Sequence, residues 1–204
     1  MGRLEPEKIV AQALALIDES GLEAFSWRKL AARLEVEPMS LYHYYPSKGH
    51  LLDAVADRLI AEVVIPKKGA WQDRVRTTMR RYRKVAHQHP RAFLLMATRR
   101  YNHPDSLRFL EGLLGIFRAA GFGPQGAARA FRLLGYFLHG ALLSELTVEG
   151  RQADPTPSAI DNQDLPEPLP HLREAAPYLG PNHLEATFEA GLEALLASLA
   201  ESTA

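Results

Sequence analysis

Apolar residues recur at steps of three and four along most of this chain, and no segment shows the alternation of a half-buried strand, so the pattern predicts an all-α fold. Ser26 is suited to cap a short helix in which Leu30, Ala31 and Leu34 share a face. Glu35, Val36 and Glu37 form a turn with Val36 pointing inward. Pro38, whose missing N–H costs nothing at the first position of a helix, then opens a second short helix to about Tyr44. Pro46 pushes Tyr45 out of helical conformation, and Ser47 caps a longer helix that runs to about Val64 and stops before Pro66. A helix from about Trp71 to Gln88 carries Val75, Met79, Tyr82, Val85 and Ala86 on one face, and a shorter one follows Pro90. Pro104 opens a helix reaching Ala120 with Gly121 as its stop, Pro124 a long one reaching about Glu149, and Pro181 the last, ending near Leu199. Between Arg151 and Pro170 the run RQADPTPSAIDNQDLPEPLP predicts a flexible loop inserted among the later helices.

Residues 26 to 52 have the layout of a DNA-reading helix-turn-helix: two short helices around a tight turn, then a third helix. The second helix is too short for Met39, Ser40, His43 and Tyr44 all to face a core, so several look outward. There a thioether, a hydroxyl, an imidazole and a phenol suit base edges and phosphates. Lys48 stands in the first turn of the following helix, where the helix dipole disfavours positive charge, and is better used against a phosphate. The same residues also fit plain packing in a small helical bundle, and the pattern alone leaves both readings open.

Charge changes the picture. The chain carries 24 basic and 24 acidic side chains, and residues 1 to 65 hold seven basic and ten acidic ones, so DNA binding cannot rest on a broad positive surface. It has to rest on a few placed cations, Arg28, Lys29 and Lys48, with neutral donors beside them, which implies a modest dependence on salt. Between Lys67 and Arg100 eleven basic residues face one acid, Asp73; they read as the solvated side of the helix that buries Val75, Met79 and Tyr82, with an anionic ligand or long-range attraction to DNA as alternatives. There is no cysteine, hence no disulfide or thiolate metal site. The absence of an apolar signal core in MGRLEPEKIVAQ and of any run near the roughly 18 apolar residues that span a membrane points to the cytoplasm. No HExxH, GxSxG or phosphate-binding glycine loop occurs, and His87 and His89, two apart, lie on different helix faces. A catalytic site, a metal and a cofactor are therefore not expected.

Two of the later helices are apolar over much of their circumference. Ala127, Ala128, Phe131, Leu134, Gly135, Leu138, Gly140, Ala141, Leu142 and Leu146 mark one; Leu184, Phe188, Gly191, Leu192, Leu195 and Leu199 mark the other. One surface of each can pack within a monomer and another against a second copy, and a two-fold dimer suits a palindromic site with reading helices about 34–36 Å apart. A small-molecule pocket is expected among the middle helices, walled by Met79, Tyr82, Phe93, Met96, Phe109, Phe117 and Tyr136, with His139, Arg99 and His103 as polar groups; each of these alone fits a core equally well.

The segment from Ile9 to Leu52 resembles the DNA-binding domain of the TetR family of transcriptional repressors. The resemblance lies in a first helix ending at Glu19-Ser20-Gly21, the Ser26 cap, Leu30-Ala31, the Leu34-x-Val36 turn, Leu41-Tyr42 followed by an aromatic pair, and Lys48 before Leu51-Leu52. More weakly, His89-Pro90, Gly121-Phe122 and the Gly140 to Glu145 region resemble the ligand-binding domain of the tetracycline-responsive members. One departure is Glu35 at the turn position that the family gives to glycine, which implies a slightly remodelled turn.

The resemblance implies a helix-turn-helix domain over residues 1–46 and an effector-binding and dimerisation domain over 47–204, with 47–64 as connecting helix and the two apolar helices in a four-helix dimer bundle. It implies that Arg28 reaches a base or phosphate and that Met39 and Ser40 lie nearest the base edges. Tyr42 and Tyr44 then hold phosphates, Lys48 anchors the backbone, Trp27 adds a phosphate contact, and Pro38 shapes the helix start and meets a thymine methyl. The positions that match the metal- and drug-binding groups of the tetracycline-responsive members hold Val63-Val64, Arg99 and Ser144, so a hydrophobic or aromatic effector is expected rather than a magnesium chelate. The expected function is a ligand-responsive repressor that binds a duplex DNA operator as a homodimer. The alternative is a small-molecule-binding helical protein without operator-specific DNA binding.

Overall fold

The computed structural model describes residues 4–99, 102–151 and 168–201, the side chains of 147–151 excepted, and every described element is helical. The chain divides into two compact units, Met1–Ala120 and Gly121–Ala204.

The first unit holds α1 (Pro6–Ser20), α2 (Trp27–Leu34), α3 (Pro38–Tyr42), α4 (Lys48–Ala61), α5 (Trp71–Gln88), α6 (Phe93–Thr98) and α7 (Pro104–Ala119). α1 buries Ile9, Val10, Ala13, Leu14, Leu16 and Ile17 against α2 and α4, and closes on Gly21, whose φ of 83° favours a residue without Cβ. α4 presents Leu51, Leu52, Val55, Ala56, Leu59 and Ile60 to α1, α6 and α7 at once. The three reading-head helices are thus continuous with the packing of α5–α7, because the apolar stripe of α4 is shared between them. α5 faces this core through Val75, Met79, Tyr82, Val85 and Ala86, and Arg80, Arg81 and Lys84 point to solvent.

The second unit holds α8 (Pro124–Arg151), α9 (Pro170–Ala175) and α10 (Leu184–Glu201), with 3-10 turns at Ala176–Tyr178 and Pro181–His183. α8 buries Ala127, Ala130, Leu134, Leu138 and Leu142, and α10 packs Phe188, Leu192, Leu196 and Leu199, the pair meeting where the Phe137 and Phe188 rings lie 5.5 Å apart.

Four boundaries differ from the sequence expectation. α3 ends at Tyr42, since the N–H groups of Tyr44 and Tyr45 both turn back to the Leu41 carbonyl. α4 ends at Ala61, three residues early, in a tightened turn where Glu62 and Val63 donate to Leu59 and Ile60. Pro181 opens a 3-10 turn, so α10 begins at Leu184. α9 was not foreseen because its six residues bury no side chain and leave no periodic signature. Most of the expected loop, 152–167, lies outside the described residues.

Candidate nucleic-acid interface

The head is built by caps and one strained residue. The Ser26 side chain accepts the Lys29 N–H at 3.3 Å and starts α2; the Ser47 hydroxyl oxygen accepts the His50 N–H at 3.4 Å and starts α4. Between α2 and α3 the chain reverses through Glu35 at φ 56°, ψ 42°, and its N–H closes on Ala31 and Ala32. Glu35 therefore adopts the left-handed conformation that glycine takes most readily, and the turn keeps its form instead of being remodelled. The residue carries the strain.

With Leu41 fully buried as its inward anchor, α3 turns its remaining side chains outward. Met39 is 70 % exposed and Tyr42 41 %, His43 is exposed, and Pro38 and Ser40 are half-buried. On α2, Arg28 is exposed with no hydrogen-bond or ion-pair partner among the described residues. Trp27 is half-buried, and its ring lies 5.1 Å from that of Tyr42, tilted by 39°; the indole supports the phenol. The structure thus brings Trp27, Arg28, Pro38, Met39, Ser40, Tyr42 and His43 to one end of the first unit.

Tyr44 and Lys48 are differently employed. The Tyr44 hydroxyl donates to the Leu4 carbonyl at 2.7 Å, tying the start of the chain to the end of α3, and the Tyr45 hydroxyl reaches the Pro6 carbonyl at 3.4 Å. Burial and the Glu7 carboxylate raise the Tyr45 phenol above its ordinary pKa. The Lys48 ammonium donates to the Phe25 carbonyl at 3.0 Å and sits 5.2 Å above the Phe25 ring. A lysine at the start of α4, disfavoured by the helix dipole, is held there by a carbonyl and an aromatic face. Lys29 is likewise turned back, to the Ala24 carbonyl at 2.9 Å. Of the three cations expected at the groove, Arg28 alone is unengaged among the described residues.

Sequence reasoning missed the polar groups that hold the head. Arg33 grips Glu19 through two hydrogen bonds, of 2.5 and 2.7 Å, and Gln12 at 2.7 Å, which staples α2 to α1 and keeps the Glu19 carboxyl below its usual pKa. Asp53 accepts from Arg99 at 2.9 Å, and Asp57 caps α7 by accepting the Ser106 N–H and hydroxyl, both at 2.6 Å, and the Asp105 N–H at 3.3 Å. His89 meets Asp18 at 2.8 Å, and Arg91 donates to the Asp18 and Glu19 carbonyls. The signal for α4 was present as Asp53 and Asp57, two acids four apart in an otherwise apolar stripe; their partners, about fifty residues on, were not.

The expected effector residues fall in different places. Met79, Tyr82, Phe93, Met96, Phe109 and Phe117 are buried in the first unit, with the Tyr82 and Phe109 rings 6.4 Å apart. Arg99 is committed to Asp53, and His103 precedes α7 with its carbonyl accepting the Leu107 N–H. His139, on α8 in the second unit, is half-buried, and burial lowers its pKa. Tyr136 is 73 % exposed: Leu134, Leu138 and Leu142 set the inward register of α8, which turns position 136 outward, so Tyr136 does not wall a cavity. The cavities described elsewhere are a groove of about 360 Å³ between α1 and α4, bordered by Glu7, Tyr45, Asp57 and Asp105, and a cleft of about 270 Å³ between α8 and α10 at Phe137, Glu145 and Phe188. None of the expected effector residues borders either. No described helix is long and apolar enough to cross a membrane.

Comparison with known proteins bears on this head and on the rest of the chain. Residues 9–55 match the model for bacterial regulatory proteins of the tetR family, and residues 65–203 match the model for the tetracyclin repressor-like C-terminal domain. An HTH-type transcriptional regulator of Saccharopolyspora erythraea is 31 % identical over 77 % of this chain and 67 % of its own. The tetracycline repressor protein class D of Escherichia coli is 30 % identical over 96 % of this chain and 89 % of its own. Among solved structures, the Streptomyces coelicolor TetR family protein ActR in complex with actinorhodin superposes with a TM-score of 0.83 at 26 % identity, covering 99 % of both chains.

Proposed function

The chain belongs to the TetR family of transcriptional regulators, and on that premise we propose that it is a repressor that binds a palindromic operator as a homodimer and leaves it when a small, largely hydrophobic or aromatic effector binds. The observation that carries this reading is the head itself. A strained turn at Glu35 is kept so that α3 stands outward with Met39, Tyr42 and His43 exposed beside an unengaged Arg28. A helical protein with no surface to present has no use for that arrangement. Lys48 and Tyr44 serve the head by fixing its shape, since both have partners inside the protein.

Homodimerisation is supported by the outward faces of the second unit. α10 exposes Ala186, Ala190, Ala194 and Ala197 in one stripe, and α8 exposes Tyr136, Gly140 and Leu143, surfaces that allow close approach of a second pair of helices. An organic effector is supported by the ActR complex with actinorhodin. The route from effector to operator runs through α4, which is joined to α3 and tied by Asp53 and Asp57 to α6 and α7. A coupling of about 1–3 kcal/mol between the two sites weakens operator binding roughly 5- to 150-fold.

The test is selection of bound sequences from random duplex DNA by the purified protein at near-physiological salt. Enrichment of a palindrome is the expected result. Folded protein that enriches no sequence overturns the reading and leaves the small-molecule-binding alternative.

A further inference from the structure

We infer that Met39 reads a thymine by its C5-methyl group, so that each operator half-site is specified at that position by an apolar contact and not by hydrogen bonding. The inference rests on the operator-binding reading above and adds what part of the base is recognised. Met39 is the second residue of α3 and 70 % exposed, while its neighbour Leu41 is fully buried. Nothing in the packing of the head uses the Met39 side chain, and an apolar group left in water at this level forgoes a stabilisation that burial supplies. The structure gives it no partner within the protein; its position gives it one outside.

The chemistry of α3 narrows what that partner is. The helix carries no arginine, lysine, asparagine or glutamine, the side chains that make paired hydrogen bonds to guanine or adenine in the major groove. Its outward groups are the Pro38 ring, the Met39 thioether, the half-buried Ser40 hydroxyl and the Tyr42 phenol that leans on Trp27. A thioether donates no hydrogen bond and accepts only weakly. Of the features presented in the major groove by unmodified DNA, the one an apolar side chain discriminates is the thymine methyl. Methionine is unbranched and adaptable, and it closes over a methyl without a fixed rotamer. The hydrogen-bonding share of sequence reading then falls to Arg28 on α2, the exposed guanidinium of the head without an internal partner among the described residues.

Replacing thymine by uracil deletes this methyl and leaves every hydrogen-bonding group of the base pair in place. The probe is the palindromic duplex recovered by the selection, with each thymine replaced in turn by uracil in both half-sites and the dissociation constant measured for the full-length protein and for Met39→Ala. One thymine per half-site is expected to be sensitive, with binding weakened about three- to fivefold for each methyl removed. The Met39→Ala protein is expected to bind the thymine and uracil duplexes equally at that position. Wild-type binding indifferent to uracil at every thymine overturns the inference while leaving the regulator reading intact. Sensitivity that persists unchanged in Met39→Ala also overturns it, assigning the methyl to another side chain. A selection that enriches no sequence overturns the regulator reading and this inference with it. The uracil scan of the wild-type protein is independent of how the variant folds.

Discussion

Glu35→Gly is expected to stabilise the protein. A residue with a Cβ held at φ 56°, ψ 42° costs on the order of 1–3 kcal/mol relative to a relaxed backbone. Glycine removes that strain but has more freedom to lose on folding, which returns about 0.4–1 kcal/mol. The exposed Glu35 carboxylate also stands at the C-terminal end of α2, where the helix dipole disfavours negative charge, by about 0.3 kcal/mol at an exposed position. The net gain is about 1 kcal/mol, or about 2–4 °C in Tm for a chain of this length. Glu35→Ala separates the two causes, since it removes the charge and keeps the Cβ; its gain is limited to about 0.3 kcal/mol. The assay is urea unfolding followed by circular dichroism at one protein concentration. A midpoint for Glu35→Ala equal to or above that of Glu35→Gly refutes the backbone argument and assigns the whole effect to charge. Operator affinity is expected to be unchanged in both, because the N–H that closes the turn is retained.

Trp27→Ala removes the support under Tyr42 and is expected to weaken operator binding about two- to tenfold with little change in Tm, while Trp27→Phe retains most of the affinity; anisotropy of a labelled operator measures both. Asp57→Ala leaves the first N–H groups of α7 without their acceptor and is expected to cost about 1–2 kcal/mol in urea unfolding, with Asp57→Asn losing less because one oxygen still accepts. A Cβ at Gly191 meets the Phe137 ring at 2.5 Å, so Gly191→Ala is expected to cost about 1–3 kcal/mol, part of it recovered in the double variant with Phe137→Leu; thermal unfolding reads both. Burial lowers the His139 pKa from 6.5, so between that value and the folded pKa the unfolded chain binds more protons than the folded one. Stability therefore falls as pH drops below 6.5, and His139→Leu is expected to flatten this part of the Tm against pH profile.

The legible parts of the fold are those where a local rule decides. Ser26, Ser47, Pro38, Pro104 and Gly121 announce helix ends through capping, missing N–H groups and positive φ, and the structure ends helices beside each of them. Met39 and Leu41 were assignable outward and inward because a helix of five residues has room for one anchor. The polar ties were not legible, since each joins residues far apart in sequence: Tyr44 to Leu4, Lys48 to Phe25, Asp53 to Arg99, Asp57 to Ser106. Lysine and tyrosine at a reading head carry the same local signal whether they point to a phosphate or to a backbone carbonyl. Only the folded geometry distinguishes the two. Tyr136 illustrates the same limit for a pocket, because an aromatic residue in an apolar helix has no inward direction until Leu134, Leu138 and Leu142 have claimed it.

These internal ties alter how the head can bind a polyanion. Residues 1 to 65 hold ten acids against seven bases, and Arg33, Lys29 and Lys48 spend their hydrogen bonds on Glu19, Ala24 and Phe25. Nonspecific attachment to DNA comes almost entirely from neutralising phosphates, and its strength grows with the number neutralised. A head with so few unengaged cations has little of that background affinity, so any tight binding has to come from contacts that depend on sequence and on fit: Arg28 at a base or phosphate, Met39 at a methyl, the Tyr42 phenol on its Trp27 support. Poor general attraction to DNA then raises discrimination, because the many competing sites lose more than the operator does. It also explains why so much of the head is braced. When a few contacts decide binding, small displacements of α3 carry a large share of the affinity, and the ties from Glu19, Phe25 and Leu4 hold that helix at one angle until α4 moves.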